Sequence, residues 1–213
     1  MTTTLWRLYC ETPYATLSIV DGSDVPGCPA AIEDHTSSVI SAGLMLPVVL
    51  KTVALHAQAK ADIDGILICC FSDHPLVQVL RENVNIPVMG IFHASLHAVS
   101  MLDRKFGIVT TAMAWQPILT TSVRIAGAQD SSAGVISTGL GVLELESRPR
   151  DEVLARIEEC TTMLIDRGAR CIILGCAGMA PLEKLLRDTL PSEIKIIDGV
   201  RYGIQFLVAL TSV

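Results

Sequence analysis

The sequence predicts an α/β fold made of two similar parallel-sheet units. Three observations carry that prediction. Short β-branched runs alternate with longer amphipathic ones along the whole chain. The strand-like runs are continuously apolar, as strands covered on both faces are. One motif also occurs twice. Ile68-Cys69-Cys70-Phe71-Ser72-Asp73-His74-Pro75-Leu76 leads to Leu80-Arg81-Glu82, and Leu174-Gly175-Cys176-Ala177-Gly178-Met179-Ala180-Pro181-Leu182 leads to Leu186-Arg187-Asp188. Both read Cys, four residues, Pro-Leu, three residues, Leu-Arg-acid, each after an apolar run, and so predict a duplicated unit.

In chain order the expected strands are Thr16–Val20, Gly65–Cys69, Ile86–Met89, Lys105–Thr110, Gly134–Thr138, Cys171–Gly175 and Ile194–Ile197. The expected helices are Leu44–Ala61, after an acidic loop, His74–Glu82, after Asp73, and Met113–Ala126, after Thr110-Thr111. Arg150–Arg167 follows, stopped by Gly168 at a C′ position, and then Pro181–Asp188, opened by a proline that suits a first helical turn. Asp198-Gly199 starts the last helix with a capping carboxylate. Aligned on the repeated cysteine, the second half has two strands before its cysteine strand and the first half has one. The counterpart of Phe106–Thr111 would lie upstream of Met1, so the first lobe is expected to lack its first strand. Residues 1–98 with 199–213 form the expected first lobe and 99–198 the second.

Composition narrows the function. The 213 residues are 50% hydrophobic, 18% charged and 4% aromatic, which excludes a disordered chain and predicts an aliphatic core. A net charge of −6 offers no basic footprint for nucleic acid. The apolar run Leu44–Leu50 is interrupted by Pro47 and ended by Lys51, well short of roughly 20 apolar residues, so no membrane partner is expected. The N-terminus has no secretory pattern, and an odd set of seven cysteines reads as reduced thiols in a cytoplasmic protein. Cys10, Cys28, Cys160 and Cys171 read as small core hydrophobes, with Cys69 turned into the core beside Cys70.

Cys70 and Cys176 stand apart. Each sits at the carboxyl end of a parallel strand, where ligands of open α/β sheets bind. Each precedes a helix whose N-terminus would lower a thiol pKa from about 8.5 toward neutrality. Two thiols brought by duplication to opposite sides of one cleft suit stereoinversion, one removing an α-proton and the other supplying a proton to the opposite face. Such chemistry needs no cofactor and no metal.

These residues carry a resemblance. Cys70-Phe71-Ser72-Asp73 after Gly-Ile-Leu-Ile resembles the cysteine loop of hydantoin racemases, and Leu174-Gly175-Cys176-Ala177-Gly178-Met179 their second cysteine motif. Pro26-Gly27-Cys28-Pro29 with Ile32-Glu33, Ile86–Ile91, Phe106–Thr111 and Ile197–Val200 fit in the same order, so that the resemblance spans about Pro26 to Leu207. It implies membership of the aspartate/glutamate racemase superfamily: two pseudosymmetric lobes, no cofactor, a small-molecule substrate clamped between the lobes, and a homo-oligomer. The implied reaction is racemisation of 5-substituted hydantoins or allantoin at C5, with Cys70 and Cys176 as acid and base. Phe71, Ser72, Asp73, Thr110, Thr111, Ala177, Gly178 and Met179 are the implied substrate-binding residues, with hydroxyls and backbone N–H groups serving the developing oxyanion. The chain departs from the family in lacking the first strand and its Asn-Pro-Asn loop, and in carrying His93 where an acidic residue is usual. The departures motivate two alternatives: an N-terminally truncated, catalytically impaired relative that binds a small metabolite, or a related chemistry such as amino-acid racemisation or maleate-type isomerisation.

Other features carry less. His93 and His97 have an i, i+4 spacing, but no third metal ligand is evident. His74, four residues after Cys70, is placed to stabilise a thiolate. Gly139-Leu140-Gly141 lacks the rest of a dinucleotide fingerprint, Asp21–Asp34 reads as a cleft-edge loop, and Arg148–Glu152 as a charged surface turn.

Overall fold

A computed structural model describes residues 15–211. Cys10 lies outside these residues, as does the question of a first strand. The elements alternate as expected, starting from α1 (His35–Gln58), β1 (Ile66–Ile68), α2 (Pro75–Asn83), β2 (Val88–Gly90) and α3 (Ile91–Ser100). After an exposed turn come β3 (Phe106–Thr110), α4 (Trp115–Ile125), β4 (Ser132–Ser137), the single turn α5 (Glu144–Ser147) and α6 (Arg150–Asp166). Then follow β5 (Cys171–Gly175), a 3-10 helix (Ala177–Leu182), α7 (Glu183–Thr189), β6 (Lys195–Ile197) and α8 (Gly199–Thr211).

Every strand pair is parallel, in two sheets ordered β1-β2 and β4-β3-β5-β6. The repeat is thus visible in space, with β1 and β2 repeated by β5 and β6. The second sheet is the deeper. All residues of β3 and β5 are buried, whereas Ile66–Ile68 of β1 are only partly so.

The helices that follow β2 and β6 knit the two sheets together. α3, leaving the first sheet, puts Ile91, Phe92 and Leu96 into one core with Phe106, Ile108 and Ile173 of the second. α8, leaving the second sheet, lays Gly203 and Leu207 against Leu67 and Gly65 around β1. The two helices meet at Gly199, where a Cβ would stand 2.6 Å from both the Ile91 carbonyl and Ser95 Oγ. Only glycine permits that approach.

Three expectations fail in detail. Thr16–Val20 is not a strand but irregular backbone, mostly exposed. β-branched residues favour an extended chain but do not supply the neighbour that makes it a ladder. The first long helix begins at His35 rather than Leu44. Asp34 caps it, accepting from Ser37 N–H at 2.7 Å while Ser37 Oγ accepts from Asp34 N–H at 3.1 Å. It also runs through Pro47, so the apolar run is not broken there. By length and composition alone α1 would cross a bilayer, although a core helix of a soluble protein passes the same test. Here it packs on α2 through Ala42 and Met45 against Leu76 and Leu80, leaving Val39, Ile40 and Leu55 exposed. Finally, Pro181 sits inside the 3-10 helix, and the α-helical turn starts only at Glu183. Of the expected surface turn Arg148–Glu152 only Arg148 and Pro149 form the junction between α5 and α6, while Arg150–Glu152 are exposed residues that open α6.

Candidate active site

β1 ends two residues before Cys70 and β5 one residue before Cys176, so both cysteines emerge at the carboxyl edge of a parallel sheet. At β5 the edge is tight. A Cβ on Gly175 would lie 2.6 Å from the Val109 carbonyl, so glycine is what lets β5 close on β3 and deliver Cys176. Thr110 Oγ1 fastens the same point by donating to the Gly175 carbonyl at 3.3 Å. Cys176 keeps extended backbone and caps the 3-10 helix, whose Gly178 and Met179 N–H groups favour its thiolate.

Around Cys70 the chain turns sharply, Ser72 N–H donating to the Cys70 carbonyl at 3.0 Å. Ser72 Oγ stands 3.5 Å from Cys70 Sγ. Phe71 is buried and meets Phe92 edge-on at 5.6 Å. Asp73 is exposed, and its charge reaches His93 on α3. The two cysteine loops also sense each other, because charge on Cys70 opposes ionisation of Cys176.

Of the implied substrate-binding residues, Phe71, Ser72, Thr110, Thr111, Ala177 and Met179 are buried and Gly178 is partly open. Within Cys171–Ala180 Gly178 alone escapes full burial. The Thr111 carbonyl is taken by the Ser137 hydroxyl, and the Thr110 hydroxyl by Gly175, so both threonines hold strand ends in place.

The expected thiol acidity is not found. Burial pushes the Cys70 thiol up to about 11, with Ser72 pulling it part of the way down. Burial likewise pushes Cys176 to about 12, opposed by the two N–H groups. Desolvation of a thiolate outweighs the help of one short helix end. Cys69, Cys160 and Cys171 are raised by burial too, as small core hydrophobes should be. His74 also departs from expectation. Burial pulls its ring down to about 4, so it is neutral and brings no positive charge to a thiolate. His93 and His97 stay on α3, and among the described residues no group of three metal-ligating side chains forms.

Two contacts were not read from the sequence. Glu33 Oε1 accepts from Val142 N–H at 3.0 Å, and Trp115 Nε1 donates to the Ile32 carbonyl at 3.3 Å. Together they pin the end of the Asp21–Asp34 loop to the second sheet's side of the molecule. A carboxylate after an apolar residue in a loop is too common a pattern to announce such a clasp.

The chain is similar in sequence and fold to known proteins. A 39% identical protein of unassigned function from Schizosaccharomyces pombe aligns over 87% of this chain and 76% of its own length. A hydantoin racemase of Rhizobium meliloti is 31% identical, over 90% of this chain and 76% of that protein. The solved allantoin racemase of Klebsiella pneumoniae superposes with a TM-score of 0.75 at 28% identity, over 88% of this chain and 73% of that one. The model of the Asp/Glu/Hydantoin racemase family matches residues 12–207, and the chain belongs to that family of isomerases.

Proposed function

We propose that this chain racemises five-membered cyclic amides of the hydantoin or allantoin type, with Cys70 and Cys176 as the proton-transfer pair. The observation that carries the reading is the pairing of two strand-end cysteines, one per sheet, near enough that charge on one is felt by the other. In the forward step a thiolate takes the C5 proton. The C–H bond breaks, an S–H bond forms, and the electron pair moves into the adjacent carbonyl as an enolate. The opposite thiol then gives its proton to the other face of C5, and the carbonyl reforms. Each turnover leaves the protonation of the two sulfurs exchanged, so the same pair serves both enantiomers.

The surroundings support an uncharged ring. Phe71, Ala177 and Met179 are buried and apolar, and the N–H groups of Gly178 and Met179, which already favour negative charge at Cys176, suit an enolate oxygen nearby. Both thiols are neutral near pH 7 without substrate, while turnover requires one of them ionised. Mutual repulsion allows one ionisation and discourages the second, which is the state the reaction uses.

The test is deuterium uptake at C5 from D₂O, over a hydantoin panel that includes allantoin, with wild type, Cys70→Ala and Cys176→Ala. Racemisation by wild type, lost in both variants, supports the reading. Exchange of one enantiomer retained by each single variant assigns each thiol its face. No uptake by folded wild type overturns it.

A further inference from the structure

α1 is apolar on two sides, and only one of them has a partner. Ala42 and Met45 pack on Leu76 and Leu80 of α2, whereas Val39, Ile40 and Leu55 are 59%, 44% and 53% exposed. Gly43, Pro47, Lys51 and Ala54 are exposed with them. Helical spacing lines up Ile40, Gly43, Pro47, Lys51 and Ala54 in one stripe of about four turns, with Val39 and Leu55 on its flanks. Among the described residues nothing covers this stripe, and soluble monomers rarely leave a continuous apolar patch open.

Three features of the stripe serve no purpose within the chain itself. Glycine weakens a helix interior, yet Gly43 has no left-handed backbone, and a Cβ there would meet no described part of the chain within 4 Å. Pro47 has no N–H, so the Gly43 carbonyl lacks its ordinary donor one turn on. Lys51 is the only lysine, arginine or acidic residue of α1. Gly43 and Lys51 stand at equal distances in sequence on either side of Pro47.

We propose that this stripe is the contact between two copies of the chain, packed antiparallel about a two-fold axis at Pro47. That symmetry sets Gly43 of each copy opposite the partner's Lys51, and Ile40 opposite the partner's Ala54. The missing Cβ leaves room for the lysine stem, and the ammonium donates to the Gly43 carbonyl that Pro47 leaves bare. A two-fold contact has to be self-complementary. A hollow with a bare acceptor on one side of the axis and a lone donor on the other meets that condition. A bilayer fits the stripe less well, because Lys51 stands within it and no second cation of α1 is there to meet anionic headgroups.

Sedimentation velocity on the full chain at micromolar concentration should give an even number of copies. Gly43→Gln fills the hollow, and Pro47→Ala returns the missing N–H. Both favour the helix, so neither should unfold it, and both should loosen the pair. Lys51→Met keeps the apolar stem without the donor. Gly43→Gln and Lys51→Met should each raise the dissociation constant roughly tenfold or more, with circular dichroism unchanged. A mixture of Ile40→Cys and Ala54→Cys copies should form a covalent dimer on mild oxidation. Neither variant alone should do so, nor should Met101→Cys, whose site on the turn between the halves is 82% exposed. A monomeric wild type overturns the proposal, and its flotation with phosphatidylserine vesicles would give the stripe to a lipid surface instead. An assembly that none of the substitutions loosens, and that the mixed cysteines do not bridge, overturns it too by placing the contact on another face.

Discussion

At the level of single residues, the poorly solvated thiols, Cys69 and Cys70 partly buried and Cys176 buried, make two measurable demands. Desolvation pushes the thiols of Cys70, Cys176 and Cys69 up to about 11, 12 and 12 in the folded chain, from an ordinary 9.0. The unfolded chain therefore releases these protons first. Stability due to the neutral thiols is full below pH 9 and is lost as the pH rises through 11 and 12. Thermal melts between pH 8 and 11 should show this decline, and the Cys70→Ala/Cys176→Ala double variant should flatten it in part. Over the same range, below the onset of unfolding, C5 exchange should rise with pH as the scarce thiolate becomes commoner. His74 acts at the other end. Its ring lies below the usual 6.5, so protonation favours the unfolded chain and stability falls as the pH drops from 6.5 toward 4. His74→Asn should remove that slope in acid melts. That Cys70 and Cys176 stand at equivalent strand ends was legible in the sequence, because the repeated spacing marks them out from the rest. Their acidity was not. A helix start is visible in a string of residues, but the burial that outweighs it is a property of the assembled fold. The burial of His74 is hidden for the same reason.

Among the elements, β5 was legible to the residue, because Cys171–Gly175 is an unbroken apolar run between Arg170 and the cysteine loop. Thr16–Val20 has a similar composition and failed, since no described neighbour pairs with it. α1 was cut short at its start because Ser37, not a glutamate, completes its capping box. The junction of the 3-10 helix, α7 and α8 depends on Glu183, which no sequence pattern singled out. Its buried carboxylate joins Arg187 at 2.5 Å and Arg201 at 2.6 Å, tying α7 to α8. Replacing it with alanine should cost roughly 1–3 kcal/mol in denaturant unfolding, toward the low end because both arginines are half exposed and can turn to water. Gly175→Ala should be worse for activity than for stability. Pushing β5 off the Val109 carbonyl costs about 1–3 kcal/mol of overpacking and also shifts Cys176, so C5 exchange should fall further than the melting curve explains.

For the whole molecule, the α/β class and the doubled plan were legible from alternation and repeat, but the way the halves hold each other was not. Glu33 and Trp115 clasp the loop before α1 to the other sheet's side. Glu33→Ala, which removes the acceptor for Val142 N–H, should leave the cores intact while protease cutting within residues 21–34 speeds up. The exchange of α3 and α8 goes deeper. Each sheet is roofed in part by the helix that grows from the other, and the turn between the halves, residues 101–105, is exposed throughout. Covalent continuity at that turn is then dispensable once folding is done. A chain nicked there should run as two bands in denaturant yet elute as one particle in native buffer, while either piece expressed by itself should have no roof and stay insoluble. The duplicated halves have thus become like two hands with interlaced fingers, unable to part even where no bond joins them.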